Sequence, residues 1–289
     1  MSISFFAECT VLITGASAGI GREFARQLAP AVNTMILVAR RNDRLEALEL
    51  ELKIINPQLE VFCRQLDLRD QAALERFCNW LDESGLSVDL LVNNAGLGDR
   101  GAFIDSEWER VQAMLQVNIE TLTYLTYRIL PSMRKSGCGA ILNVSSSASL
   151  VPVPHLAVYA ATKAYVTSFS EALRAELRNA NISVTALCPG PVPTEFADVA
   201  SRRPEVNAAA SPTQDLFSVP VQEVVRRALD AVSRDKARVI PGTLMNLAMT
   251  IVVFLPMFLK RLILNAQAAR EKRSSPSAAH PDYEISGMI

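Results

Sequence analysis

Thr10 to Gly21 reads T-V-L-I-T-G-A-S-A-G-I-G, and R-E-F-A-R-Q-L-A follows directly. The first five residues are apolar or β-branched, the pattern of a short strand buried on both faces of a parallel sheet. Gly15, Gly19 and Gly21 come next, and then Phe24, Ala25 and Leu28 recur at helical spacing. Strand, glycine turn and helix in that order suit a phosphate cradle. Glycines permit the tight turn and a close approach, and the helix N-terminus offers its N–H groups to a pyrophosphate. The competing reading is a glycine turn that holds no ligand.

The same alternation continues outward. Met35 to Ala39 (M-I-L-V-A) reads as a second buried strand, ended by Arg40 and Arg41. At that strand end a carboxylate suits the 2′-hydroxyl of NAD and an arginine suits the 2′-phosphate of NADP. Arg40 therefore favours NADP(H) over NAD(H), against a reading of two solvated arginines opening the next helix. Leu45 to Ile55 is an amphipathic helix stopped before Pro57, and Leu59 to Leu66 is a third strand closed by Asp67 and Leu68. Asp67 either accepts a hydrogen bond from an adenine amino group or caps the helix that starts near Asp70. A helix over Gln71 to Asp82 leads to a strand over Asp89 to Val92 and then the small polar turn Asn93-Asn94-Ala95-Gly96. Such alternation predicts an α/β fold, a doubly wound parallel sheet whose ligands lie beyond the carboxyl ends of its strands.

Composition narrows the function classes. A chain of 289 residues, half of them apolar, suits one large α/β domain. A formal net charge of −1 leaves no basic excess for nucleic acid. The five cysteines are scattered without a C-x-x-C pair, as in a reducing compartment, and two histidines make a His-based metal site unexpected. Before Thr14 there is neither a basic n-region nor a long apolar run, so no signal peptide is read there. A cytoplasmic protein is expected, with no metal.

Candidate chemistry lies in Ser145 to Lys163, S-S-S-A-S-L-V-P-V-P-H-L-A-V-Y-A-A-T-K. Tyr159 and Lys163 stand four apart, on one face of a helix. A lysine ammonium there favours the tyrosinate and should lower a phenol pKa that is ordinarily about 10. A phenol tuned in this way exchanges a proton with a substrate oxygen, and an upstream serine can hydrogen-bond the same oxygen. By itself, Tyr-x-x-x-Lys is also compatible with an ordinary exposed helix turn.

These motifs, in this order, resemble the short-chain dehydrogenase/reductase family from about Cys9 to Thr194. The glycine motif is Thr14 to Gly21, the adenine-side aspartate falls on Asp67, and the Asn-Asn-Ala-Gly turn is Asn93 to Gly96. Val117-Asn118 matches the central-helix asparagine, which in the family helps hold a water that relays protons to the active-site lysine. Ile141 to Ser146 matches the strand bearing the catalytic serine, and family spacing to the tyrosine selects Ser146. Pro154 sits where the family often has proline, and Pro189 to Thr194 resembles its segment beside the nicotinamide. The resemblance implies a Rossmann fold and a catalytic tetrad of Asn118, Ser146, Tyr159 and Lys163. It also implies cofactor contacts from Gly15, Ser17, Gly19, Ile20, Arg40, Asp67, Leu68, Asn94, Ala95 and Gly96. Tyr159, Lys163, Pro189, Gly190, Val192 and Thr194 complete that set. Ala18 departs from the second basic residue of many NADP-preferring members, and Ser149 replaces a frequent glycine.

The last third should carry specificity. Glu195 to Pro220 is polar, alanine-rich and without a period, which reads as a substrate lid. Val221 to Ser233 is an amphipathic helix and Arg238 to Pro241 a last strand. Val239 to Leu259 then runs 21 residues without a charge, up to Lys260-Arg261. A helix near 244–264 could cover the cleft or pack in a homo-oligomer, rest on a membrane as a peripheral contact, or span it. The expected organisation is a single domain over 1–241 with its substrate loop at 195–220, an apolar C-terminal helical extension over 242–266, and a disordered tail over 267–289. The leading functional expectation is hydride transfer between NADP(H) and a carbonyl/alcohol pair of a hydrophobic molecule, of steroid, retinoid or 3-oxoacyl type. An NADPH-binding regulator and a membrane-attached scaffold, both without turnover, are the rivals.

Overall fold

The structure, a computed structural model, describes residues 3–201 and 216–262. β1 (Thr10–Thr14), α1 (Gly19–Leu28), β2 (Thr34–Ala39), α2 (Asn42–Ile55), β3 (Glu60–Gln65), α3 (Gln71–Glu83) and β4 (Leu90–Asn93) alternate along the first hundred residues. Next, α4 (Trp108–Leu115) runs through a π-helical stretch, Gln116–Thr121, into α5 (Leu122–Ser136). β5 (Gly139–Val144), α6 (Ala157–Glu176), β6 (Ile182–Leu187), α7 (Glu195–Ala200), α8 (Val221–Ser233), β7 (Arg238–Val239) and α9 (Thr243–Phe254) follow. The seven strands form one parallel sheet in the order β3-β2-β1-β4-β5-β6-β7. This is the doubly wound Rossmann topology, and the strand order reverses between β1 and β4.

Each strand feeds two cores because successive side chains point to opposite faces. Val11 and Ile13 of β1 and Met35 and Leu37 of β2 pack with Phe24 and Leu28 of α1, Leu45 and Leu48 of α2, and Val224 and Leu229 of α8. Leu12 and Ile36, one residue out of step, pack on the other face with Leu74 of α3, Ile129 of α5 and Leu173 of α6. Burial on both faces is why these strands read as unbroken apolar runs.

A polar cluster fixes the helices nearest the expected chemistry. Asn93 Nδ2, at the end of β4, donates to Asn143 Oδ1 of β5 at 2.9 Å and to Thr126 Oγ1 of α5 at 3.1 Å. Asn143 Nδ2 in turn donates to Ser170 Oγ of α6 at 2.9 Å. All four side chains are buried. Two strands and two helices are thereby registered against each other immediately below the strand ends.

The described residues fall into two units that divide between Val253 and Phe254. The first runs past the expected edge at 241 because the start of α9 belongs to it: Met245 is buried, and a Cβ placed on Gly190 would lie 2.6 Å from its methyl. α9 stops at Phe254; residues 257–262 are helical again, and in that second unit Leu259 and Lys260 donate their N–H groups to the Pro256 carbonyl at 3.1 and 3.2 Å. Among the described residues no helix is long and apolar enough to cross a membrane. Positions 202–215 of the expected lid, 263–266 of the expected extension and the tail over 267–289 lie outside the described residues.

Asn143→Ala removes the acceptor of one buried N–H and the donor to a buried hydroxyl, and leaves a small void. It should lower the unfolding free energy by about 2–4 kcal/mol, read from urea denaturation. A loss below about 0.5 kcal/mol would show that the cluster does not hold the two layers together.

Candidate active site

The glycine turn and the Asn-Asn-Ala-Gly turn meet where the strand order reverses. Thr14 Oγ1 accepts the N–H groups of Asn94 and Ala95, both at 3.0 Å, and donates to the Val92 carbonyl at 3.4 Å. Asn94 Nδ2 returns hydrogen bonds to the carbonyls of Thr14 at 2.9 Å and Gly15 at 3.2 Å. Gly15 has φ +67°, and a Cβ on it would lie 2.9 Å from Ala95 Cα. A Cβ on Gly21 would overlap the Gly15 carbonyl oxygen, so strand, turn and helix close on one another only with glycine at both places. At the start of α1, Ala18 gives no side-chain cap and the first turn holds no acid, which leaves backbone N–H groups available to an anion.

Beside this turn lies a cleft of about 330 Å³ lined by Ser17, Gly19, Arg44 and Glu195 among others. Arg41 donates to Ser17 Oγ at 3.3 Å and to Glu195 Oε2 at 3.0 Å, while Arg44 reaches Glu195 at 2.7 and 2.9 Å. Hydrogen bonds from Arg44 and then Arg41 hold the Glu195 carboxyl below its usual range. Arg40 is exposed, its carbonyl accepts from Gln65 Nε2 at 3.1 Å, and its charge helps keep Asp67 ionised. Asp67 itself is held by the Arg69 guanidinium through contacts of 2.6 to 3.1 Å. Those bonds are the main reason its carboxyl lies below the usual range. It does not cap α3; the cap is Asp70, whose Oδ1 accepts the Ala73 N–H at 2.9 Å. Leu68 is buried and its carbonyl accepts from Thr121 Oγ1 at 2.7 Å, tying β3's exit to the central helix.

Ser146 leaves the end of β5, and Tyr159 and Lys163 share a face of α6. The Ser146 hydroxyl accepts the Ala148 N–H at 3.1 Å, and its interaction with the Tyr159 phenol favours the ionised form against burial. Of its neighbours, Ser145 turns inward to the Lys163 carbonyl at 2.9 Å and the Thr167 hydroxyl at 2.7 Å. The Ser147 N–H donates to the Pro189 carbonyl at 2.8 Å, which brings the Pro189 to Thr194 segment alongside. Lys163 is buried, donates from Nζ to the Val144 carbonyl at 2.8 Å, and stands 5.9 Å from the Tyr159 ring centre. Asn118, in the π-helical stretch, accepts from the Leu97 N–H at 2.8 Å and donates to the Leu97 carbonyl and Thr162 Oγ1 at 2.9 and 3.0 Å. A Cβ on Gly96 would sit 3.3 Å from Lys163 Nζ and 3.5 Å from Asn118 Oδ1, filling the space between them.

The electrostatics correct one expectation from the sequence. Lys163 does not depress the Tyr159 phenol: burial pushes it up to about 12, and the Ser146 hydroxyl recovers only part of that. Burial likewise brings the Lys163 ammonium down to about 8. With the ammonium directed at a backbone carbonyl, desolvation outweighs its attraction for the tyrosinate.

Several neighbours escaped the sequence reading. Phe196 of α7 lies 5.7 Å from the Tyr159 ring, centre to centre, and a Cβ on Gly98 would meet Phe196 and Ala200 at 2.9 Å. The Arg100 N–H donates to the Ala200 carbonyl at 2.8 Å, so α7 is docked over the tyrosine. Thr194 packs on Gly19, whose added Cβ would touch it at 3.3 Å, while Ile20 and Val192 pack on the core beneath. Arg41 and Arg44 had a readable signal. Two cations beside the N-terminus of α2 oppose the helix dipole, an arrangement that calls for an anion.

The family model for short chain dehydrogenases matches residues 9–205. The NADP-dependent 3-hydroxy acid dehydrogenase YdfG of Salmonella typhi is 39% identical over 194 residues, 65% of this chain and 75% of that one. A short-chain dehydrogenase from Sphingobium yanoikuyae, solved in complex with NADPH, is 30% identical with a TM-score of 0.74, covering 95% of this chain and 98% of that one. The bulky-bulky ketone specific alcohol dehydrogenase from Comamonas testosteroni is 26% identical with a TM-score of 0.69, covering 96% and 98%.

Thr14→Ala strips the acceptor from two backbone N–H groups at the meeting of the turns, and should cost about 2–4 kcal/mol of stability in urea unfolding. Thr14→Ser should restore most of it. Equal losses in both variants would assign the effect to the lost methyl rather than to the hydroxyl.

Proposed function

The chain belongs to the short-chain dehydrogenase family and is an NADP-dependent oxidoreductase; from that premise we propose that it interconverts the carbonyl and alcohol forms of a hydrophobic molecule, of steroid, retinoid or 3-oxoacyl type. The observation that carries the chemical part is the placement of Tyr159 and buried Lys163 one turn apart on α6, with the Ser146 hydroxyl acting on the phenol. NADPH, when bound, supplies the hydride that reduces the carbonyl carbon. Tyr159 then gives its phenolic proton to the carbonyl oxygen, so that an alcohol forms and no charge is left on the substrate. In oxidation the same oxygen of Tyr159 takes the proton back. Ser146 orients and polarises the substrate oxygen. Lys163 carries a positive charge beside the phenol and is placed to bind the nicotinamide ribose hydroxyls. Asn118 positions the Leu97 loop through its side chain and helps hold a water that relays protons towards Lys163.

The cofactor half follows from the same cradle. Gly15, Ser17, Gly19 and Ile20 take the pyrophosphate, and the basic residues after β2 take the 2′-phosphate. Asn94, Ala95 and Gly96 back the nicotinamide ribose, with Pro189, Gly190, Val192 and Thr194 against the nicotinamide. Asp67 and Leu68 bound the adenine.

The substrate class rests on different observations. Phe196 lies tilted against Tyr159, 5.7 Å between ring centres, and Met245 packs on Gly190, so both segments present apolar side chains. Leu244, Leu247 and Ile251 add an exposed apolar face on α9. Likeness to an alcohol dehydrogenase specific for bulky ketones favours the same class. The 3-hydroxy acid dehydrogenase relative favours a second reading, a small oxyacid. A panel of bulky ketones, steroids, 3-oxoacyl thioesters and short oxyacids, assayed by NADPH oxidation, separates the two. Turnover confined to short oxyacids would overturn the hydrophobic reading, and tight NADPH binding without turnover across the panel would favour a regulator or scaffold.

Tyr159→Phe should reduce turnover about a hundredfold to ten-thousandfold while leaving NADPH affinity within about twofold. Near-normal turnover would remove Tyr159 from the mechanism. With the phenol held protonated up to about 12, the proton donor for reduction is fully present at neutral pH. Ketone reduction should therefore be flat from about pH 6 to about pH 7.5, whereas alcohol oxidation, which needs the phenolate, should rise with pH. Reduction that falls steeply over that range would contradict a protonated tyrosine donor.

A further inference from the structure

Arg41 and Arg44 stand beside the N-terminus of α2, where the helix dipole is already positive. Among the described residues, the carboxylate that reaches both is Glu195, which lies more than 150 positions away in sequence: 3.0 Å from Arg41, and 2.7 and 2.9 Å from Arg44. Arg41 also donates to Ser17 Oγ within the glycine turn, at 3.3 Å. Ser17, Arg44 and Glu195 line one cleft, and Arg41 bridges Ser17 to Glu195. They adjoin the glycine turn at the exit of β2, where an adenosine 2′-phosphate is received in this topology.

We propose that Glu195 is a cofactor-specificity residue: its carboxylate occupies the arginines that a 2′-phosphate needs, and NADP(H) must displace it to bind. This rests on the NADP(H) reading of the cleft and adds to it a competing group supplied by the protein. The contest favours the phosphate. Both partners of the Glu195 bridges are about half exposed, with side-chain exposures of 52% for Glu195, 43% for Arg41 and 40% for Arg44, so the bridges are screened and weak. A phosphate monoester brings a charge of about −1.5 to −2 and oxygens suited to paired guanidinium donors. NADH lacks that group, so it has nothing with which to displace the carboxylate and nothing to gain from its removal.

Displacement also reaches the substrate side. Glu195 is the first residue of α7, and Phe196 beside it packs on Tyr159. Releasing Glu195 frees the end of the helix that covers the proton donor.

The test is a titration of full-length wild-type protein, Glu195→Gln and Glu195→Ala with NADPH, NADH, 2′,5′-ADP and 5′-AMP, followed by calorimetry. Both variants should bind NADPH and 2′,5′-ADP about two- to fivefold more tightly, with NADH and 5′-AMP changed less than about 1.5-fold. An unchanged NADPH-to-NADH affinity ratio, weaker NADPH binding, or opposite effects in the two variants would overturn the role of Glu195 and leave the NADP(H) reading standing. Wild-type protein that binds NADH but not NADPH would overturn both.

Discussion

The hydroxyl of Thr14 holds together the place on which the rest of the site depends. It accepts two consecutive N–H groups from the turn after β4 while its own strand runs straight into the glycine turn. Two loops that must approach without a ligand between them are joined by neutral hydrogen bonds rather than by a salt bridge. That choice suits a site for a polyanion, because a fixed charge there would either compete with the ligand or repel it. The cost is steric: Gly15 and Gly21 have no room for a Cβ, so those two positions must stay glycine.

Below that junction, buried Asn93 of β4 and Asn143 of β5 join their strands to Thr126 of α5 and Ser170 of α6. Ser146 leaves β5 and Tyr159 and Lys163 ride on α6, so the relative placement of hydroxyl, phenol and ammonium is set by this buried cluster and not by the loop between them. Burial also sets their chemistry. It raises the phenol and lowers the ammonium, moving each towards its neutral form. The pair is therefore a protonated acid beside an ammonium that is close to its own titration point, a combination suited to donating a proton to an oxygen on which charge develops.

The fold was legible because doubly buried strands must be continuously apolar and helices between them must carry an apolar stripe. β1 and α8 fall where the pattern puts them, and the other early elements differ only at their ends. The Tyr159–Lys163 pair was legible as spacing, since i and i+4 on one helix need no tertiary information, whereas Asn118 and Ser146 were pointed to by the family resemblance. What spacing could not supply was direction: the sequence places an ammonium near a phenol but cannot show that its Nζ donates to the Val144 carbonyl. Nor could it show that Asp67 is taken up by Arg69 two residues on, or that Glu195 crosses to Arg41 and Arg44. Those contacts depend on side-chain aim and on loops that return from distant parts of the chain.

Helix α7 joins the two halves of the problem. Its first residue reaches the arginines at one side of the cradle and its second reaches the tyrosine at the other. Neighbouring residues on a helix point about 100° apart, so a single short turn can face both sites without any relay through the core. The short helix is held by a screened ion pair at one end and by Gly98, Arg100 and Tyr159 further along. On the proposed role of Glu195, cofactor charge and the surroundings of the proton donor meet on neighbouring residues of this one helix.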